Sequence, residues 1–184
     1  MKFIFKLFAC CLFILATLPS IAGSASKFDS IEKTFESLSD YTVKMGNLRI
    51  IDNSIPSIAL YTTVLKHDSV EGIKSEARRA LLYGVYRTFI HTKHKKVKVT
   101  VYPMLTNMDT GSKKELSIYK KTITVEREKA LSVIQLLSGV LNFDSLVTDM
   151  KFGNQIISDM WSKDFEKLYY NRSRTKVWLD KLAR

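Results

Sequence analysis

The three histidines of this chain are the side chains best suited to acid–base catalysis or metal binding near neutral pH. His91 and His94 are three residues apart near the end of a predicted helix, and His67 directly precedes Asp68. A metal site would need further ligands, but lysines surround the first pair and no His-Glu-x-x-His motif occurs. We therefore predict no metal site, no cofactor and no catalytic residue. A hydrolase or nuclease-like enzyme that uses His67 or His91 with an acidic neighbour is the alternative.

Lysines and tyrosines that alternate along two predicted strands form the other candidate site. If Val97, Val99 and Val101 face the core, the residues between them face outward. The partner strand needs a bulge near 120–122 to keep its apolar residues inward, because its alternation changes register there. The binding residues predicted on the outward face are Lys96, Lys98, Tyr102, Tyr119 and Lys121. Such a face suits a polyanion, although lysines also protect exposed strands from aggregation.

Net charge is distributed unevenly along the chain. The 184 residues include 29 basic and 18 acidic side chains, which gives a formal net charge of +11. Residues 27–91 carry nearly balanced charges, whereas residues 92–184 hold almost the whole excess. This basic second half predicts contact with an anionic envelope polymer, an anionic lipid surface or an acidic protein. Phosphate-cradling loops and specific nucleic-acid motifs are absent from the sequence.

The N-terminal residues have the three-part pattern of a secretory signal peptide. Lys2 and Lys6 precede an apolar run over 7–16, and small residues follow Pro19. The pattern predicts cleavage after Ala22, with Ala25 as the second choice. We therefore expect a signal peptide over 1–22 and a single domain over 23–184, located in the periplasm or secreted.

Cleavage would change what chemistry the chain can perform. Its two cysteines, Cys10 and Cys11, both lie within the predicted signal peptide. The mature chain would then have no thiol nucleophile, no disulfide and no cysteine metal ligand. No second apolar run approaches the ~20 residues that a transmembrane helix needs.

Hydrophobic periodicity predicts the order α-β-β-α-β-β-α-α. The expected helices cover about 28–38, 69–91, 126–138 and 157–168, with Asp68 as the cap of the second. The expected strands cover 41–45, 58–65, 97–102 and 116–125, and a loop is expected over 142–153. In addition to these eight elements, a hairpin partner of the first strand is expected over 48–51 and a short last helix over 174–182. Short strand connections favour an α+β fold: an antiparallel sheet of about four strands with helices on one face.

These observations favour an exported, non-enzymatic accessory or binding module. Its basic second half would contact the anionic partner. The histidine-based enzyme is the main alternative. A further possibility is an assembly component that docks through its amphipathic first helix, which carries Phe28, Ile31 and Phe35.

Overall fold

The computed structural model of this chain describes residues 25–52, 55–152 and 155–184. The predicted signal peptide and both cysteines lie outside the described residues. The described helices are α1 (Ile31–Leu38), α2 (Val70–His91), α3 (Arg127–Ser138), α4 (Lys163–Tyr169) and α5 (Arg172–Ala183). The described strands are β1 (Leu48–Asp52), β2 (Ser57–Val64), β3 (Lys96–Thr106), β4 (Lys113–Glu115), β5 (Lys121–Glu126), β6 (Val147–Phe152) and β7 (Gln155–Trp161).

The main sheet confirms the predicted α+β fold and is mostly antiparallel. It has five strands in which β1 pairs with β2, β2 with β3, and β3 with both β4 and β5. The β2–β3 pair is parallel, from Ser57 opposite Lys98 to Val64 opposite Leu105. Parallel neighbours need a crossover connection, and α2 provides it. β6 and β7 form a separate antiparallel hairpin.

The core lies between this sheet and the helices. Val97, Val99 and Val101 on β3 are fully buried, as the alternation predicted. α2 packs closely against them at Gly84, where a Cβ atom would lie 2.7 Å from Val99 Cγ1. A side chain there would overlap the valine, so glycine permits this close approach of helix and sheet. Lys98 and Tyr102 alternate with the valines and lie on the opposite face.

α2 is the central helix because its other side is covered as well. Tyr86 is fully buried there and packs against Trp178 of α5, with ring centroids 4.9 Å apart. The indole nitrogen of Trp178 donates to the Tyr86 hydroxyl over 2.8 Å, and that hydroxyl donates to the carbonyl of Ala130 in α3 over 3.0 Å. Every polar atom of this junction is thereby satisfied, which burial requires.

The apolar face of α1 packs in the same core. Ile31 and Phe35 are 2% and 0% exposed, and the Phe35 ring contacts Tyr83 of α2. Ser30 caps the helix by accepting a hydrogen bond from the Lys33 amide. The apolar face of α1 is therefore occupied within the chain.

Two predictions in the first half are wrong in detail. Residues 41–45 do not form a strand; the Asn47 side chain instead accepts from the Thr42 amide and donates to the Asp40 carbonyl, which holds the segment as a turn. β1 therefore pairs with β2 rather than with 41–45. The cap of α2 is Ser69, which accepts from the Gly72 amide, whereas Asp68 accepts from the Leu65 amide.

The predicted loop over 142–153 and helix over 157–168 are also wrong. β6 and β7 occupy most of this region, and α4 begins only at Lys163. Buried Trp161 is the last residue of β7, and buried Phe165 lies in α4. Their separation of four residues is typical of a helix, although the two residues belong to a strand and a helix. No helix of the described residues is long and apolar enough to cross a membrane.

Candidate anion-binding cleft

The predicted binding residues do not all lie on one face of the sheet. In the β3–β5 pair, Lys121 lies opposite Val101, and opposite residues in an antiparallel pair point to the same side. Lys121 therefore faces the helix side, and its prediction as an outward partner of Lys98 is wrong. The predicted bulge is replaced by a short 3₁₀ turn over Ser117–Tyr119, which resets the alternation. Tyr119 is half-buried in that turn.

Lys98 and Tyr102 remain on the outer face with different neighbours. The Lys120 ammonium lies 4.7 Å from the centroid of the Tyr102 ring. That ring also stacks on Tyr61 of β2, with a centroid separation of 5.2 Å. Lys96 is paired with Glu126, with 3.3 Å between Nζ and Oε1. The outer face thus combines lysines with tyrosines, but part of its charge is compensated.

Lys121 instead lines a strongly basic cleft on the helix side of the sheet. This cleft has a volume of about 770 Å³ and lies between α2, β5 and α5. Apolar side chains from all three elements contribute to its walls: Leu81, Ile123 and Leu179. Its charged lining comprises the cations Lys74, Arg78, Lys121, Arg172 and Lys176 and the carboxylates Glu71 and Asp180.

Helical spacing explains why these cations converge. Lys74 and Arg78 are four residues apart on α2, and Arg172 and Lys176 are four residues apart on α5. Side chains at this spacing share one face of a helix. Each helix therefore presents a pair of cations to the cleft, and Lys121 adds another from the strand.

An ion pair lies inside the cleft. Glu71 bonds to Arg78 across one side of the cleft. The Arg78 guanidinium lowers the pKa of Glu71, and Lys74 and Lys176 lower it further. Three cations on two helices therefore act on one carboxylate, and they would act in the same sense on an anion that enters.

Arg78 retains an unused donor beside this ion pair. Its side chain is 13% exposed, and its buried Nε has no hydrogen-bond partner within the described residues. An unpaired buried donor is costly. α5 also begins at this cleft, and the positive end of its dipole favours an anion in the same place.

The two histidines considered for catalysis have different surroundings. His91 is fully buried, its Nδ1 lies 2.8 Å from the Ser26 carbonyl oxygen, and its Nε2 lies 3.3 Å from Asp159. Asp159 also accepts from Arg87 over 2.6 Å, which makes this a buried charged cluster. His67 is exposed, and neither histidine lines the cleft. Within the described residues, no cluster of three or more His, Cys, Asp or Glu side chains has metal-site geometry.

Sequence reasoning missed the half of the cleft that α2 contributes. Charge counting treated residues 27–91 as balanced, although Lys74 and Arg78 lie there. Their spacing on a strongly predicted helix was the available signal. Their proximity to residues about a hundred positions later depends on tertiary packing between α2 and α5.

Comparison with known proteins adds no relative. No protein-family model, curated protein or solved structure matches this chain.

Proposed function

We propose that this protein is an exported, non-enzymatic binding module that holds an anionic partner in the cleft between α2, β5 and α5. The observation that carries the proposal is the convergence of five cationic side chains against two carboxylates in one cleft. The partner would be an envelope polymer that bears phosphate or carboxylate groups, or an acidic protein segment. The export part of the proposal rests on the N-terminal signal-peptide pattern.

Charge placement supports the cleft over the outer face as the binding surface. The cleft cations lie on facing elements, so a bound chain would be contacted from both sides. Cations four residues apart on a helix are ~6 Å apart along its axis, which allows successive charged groups of a polymer to be contacted. On the outer face, Lys96 is paired with Glu126 and Lys120 lies over Tyr102. In the cleft, Arg78 is paired with Glu71, and the other four cations form no ion pair within the described residues. Concave surfaces of one sign also concentrate the electrostatic field.

Salt-dependent binding of two matched double variants tests the proposal. Lys121→Gln/Lys176→Gln removes two cleft cations, and Lys98→Gln/Lys120→Gln removes the same charge from the outer face. We expect the cleft variant to elute from immobilised heparin at clearly lower salt than the outer-face variant. The slope of log affinity against log salt should fall by about one for each lysine that no longer neutralises an anionic group. Phosphatidylglycerol vesicles, with phosphatidylcholine vesicles as the neutral comparison, provide the second polyanion.

Two results would contradict the proposal. Equal weakening by both double variants would mean that total charge, rather than the cleft, determines binding. A folded wild-type protein that binds neither heparin nor anionic vesicles at low salt would exclude the polyanion form of the proposal, since screening is weakest there.

A further inference from the structure

A second cavity, on the other side of α2, has the opposite character. It has a volume of about 430 Å³ and is bordered by the turn before β1, the end of β2, α2, and the ends of β7 and α4. Its lining includes the aromatic residues Tyr41, Tyr61, Tyr83, Trp161, Tyr169 and Tyr170. Its charged residues are Asp40, Glu76 and Arg79. Carboxylates therefore outnumber cations here, although the chain as a whole carries a formal charge of +11.

One carboxylate of this cavity has no cationic partner. Glu76 is paired with Arg79, so these two charges compensate each other. Asp40 forms no ion pair with any residue that the structure describes. Asp40 is exposed, and a carboxylate without a cationic partner attracts a cation.

A buried hydroxyl lies next to this charge. Tyr83 is 3% exposed and lines the cavity, and its hydroxyl makes no hydrogen bond of acceptable geometry within the described residues. Burial raises the pKa of Tyr83 well above its ordinary value, and the Asp40 carboxylate raises it further through its charge and its contact with the hydroxyl. The hydroxyl therefore stays neutral, and its oxygen can accept a hydrogen bond from a ligand.

The aromatic walls suit the apolar part of such a ligand. Trp161 is held between the Arg87 guanidinium, 3.7 Å from its ring centroid, and the stacked ring of Phe165 at 4.3 Å. Its edge is thus a fixed wall of the cavity. Burial raises the pKa of Tyr41 to about 12, so this ring also stays uncharged at physiological pH.

We propose that the cavity bounded by Asp40, Tyr83 and Trp161 binds a primary alkylammonium group. The ammonium would donate to the Asp40 carboxylate and to the Tyr83 hydroxyl oxygen, and its methylene chain would lie against the aromatic walls. A primary ammonium fits this site because it has several donors and a single positive charge. Both a free polyamine and a lysine side chain of a partner carry this group. The inference is independent of the anion-binding cleft, which lies elsewhere on α2.

The NMR signals of the tryptophan indole N–H groups can be used to test this proposal. The chain has two tryptophans: Trp161 lines the cavity, and Trp178 is fully buried in the helix layer. The full chain, purified as its expression host processes it, is titrated with n-butylammonium chloride and, separately, with neutral 1-butanol at equal ionic strength. We expect a saturable shift of the Trp161 indole signal with n-butylammonium, little change at Trp178, and much weaker binding of 1-butanol.

Two cavity variants and one control variant assign the contacts. Asp40→Asn should weaken n-butylammonium binding by about tenfold or more, because the charge-assisted hydrogen bond can no longer form. Tyr83→Phe keeps the ring and should weaken binding severalfold. Asp29→Asn, at an exposed carboxylate that does not line the cavity, should bind as the wild type does.

The same titration can overturn the proposal. No saturable shift, equal binding of 1-butanol, or unchanged affinity in the Asp40→Asn variant would each do so. If Asp40→Asn fails to fold, unchanged affinity in Tyr83→Phe would contradict the proposed hydrogen bond. Putrescine represents a free polyamine, and Nα-acetyl-lysine amide represents a lysine side chain of a partner. Both are titrated in parallel, and the one that binds more tightly identifies the source of the ammonium group.

Discussion

At the scale of single residues, the buried cluster around His91 links three separate parts of the chain. His91 ends α2, Asp159 lies in β7, and the Ser26 carbonyl belongs to the segment before α1. Arg87 completes the cluster, bonded to Asp159 and stacked on Trp161. Because all these polar groups are removed from water, the protonation of His91 affects the stability of the whole arrangement.

The buried histidine predicts a specific pH dependence of stability. Burial lowers the pKa of His91 below its ordinary value of 6.5. The hydrogen bond to the Ser26 carbonyl and the charge of Asp159 act in the opposite sense, and the charges of Arg87 and Lys27 act in the same sense as burial. Between the folded-state and unfolded-state pKa values, the unfolded chain binds more protons. The free energy of unfolding should therefore fall as pH drops from 7 through this window, by at most about 1.4 kcal/mol per pH unit.

Urea unfolding at several pH values measures this effect. The His91→Gln variant keeps an amide that can donate to the Ser26 carbonyl but removes the titration. Its unfolding free energy should change less between pH 7 and 5 than that of the wild type. If the free energy of unfolding depends on pH in the same way in both proteins, His91 is not the group that causes the pH dependence.

At the scale of elements, three helices meet at one hydroxyl. Tyr86 of α2 accepts from Trp178 of α5 and donates to the Ala130 carbonyl of α3. Tyr83, one turn earlier on α2, has a hydroxyl without such partners among the described residues. The two tyrosines thus differ in how much their hydroxyls contribute to helix packing.

Removing each hydroxyl in turn tests this difference. Tyr86→Phe leaves a buried indole N–H and a carbonyl without their partner, and should reduce the free energy of unfolding by ~1–3 kcal/mol. Tyr83→Phe removes an unsatisfied group and should change it little or increase it. Denaturant unfolding of both variants gives the comparison. A larger loss for Tyr83→Phe than for Tyr86→Phe would contradict the described junction.

Much of the order of helices and strands could be predicted from the sequence, but the pairing of the strands could not. α2 was found through His91 because a long apolar periodicity and a start signal coincide there. Alternation over 41–45 was too short to distinguish a strand from the turn that Asn47 stabilises. The parallel pairing of β2 with β3 joins residues on opposite ends of α2, and local pattern carries no information about it.

The candidate sites show the same limit. Lys121 was predicted as a binding residue, but its assignment to the outer face failed because the 3₁₀ turn at Ser117–Tyr119 changed the register. The cavity beside Asp40 was not predicted, because its lining comes from five separate parts of the chain. Side chains that meet only through tertiary packing leave no spacing signal in the sequence.

At the scale of the whole molecule, the two concave sites separate charge across α2. The cleft that holds Lys121 is basic, and the cavity that holds Asp40 has an excess of carboxylate. The net charge of the chain therefore does not describe either site. If both proposals hold, the protein could contact an anionic polymer and an amine at the same time.

The packing of the first described residues favours one of the two cleavage sites expected for the predicted signal peptide. Ala25 is 3% exposed and belongs to the core, and the Phe28 amide donates to the His91 carbonyl over 2.8 Å. A cut after Ala25 would remove a core side chain, whereas a cut after Ala22 would retain it. We therefore expect Gly23 as the first residue of the mature protein, measured by intact mass and N-terminal sequencing. A mature chain that begins at Ser26, or an uncut chain, would contradict this expectation.

The parallel β2–β3 pair has a consequence for how the molecule assembles. β1 and β2 are neighbours in sequence and can form a hairpin early, but β3 can join β2 only after the 22 residues of α2 have crossed between them. Until then, one edge of β2 has unpaired backbone groups, and an open strand edge promotes aggregation. If the chain crosses a membrane N-terminus first, this edge emerges before its partner. Conditions that slow release of the chain should therefore favour aggregation through β2.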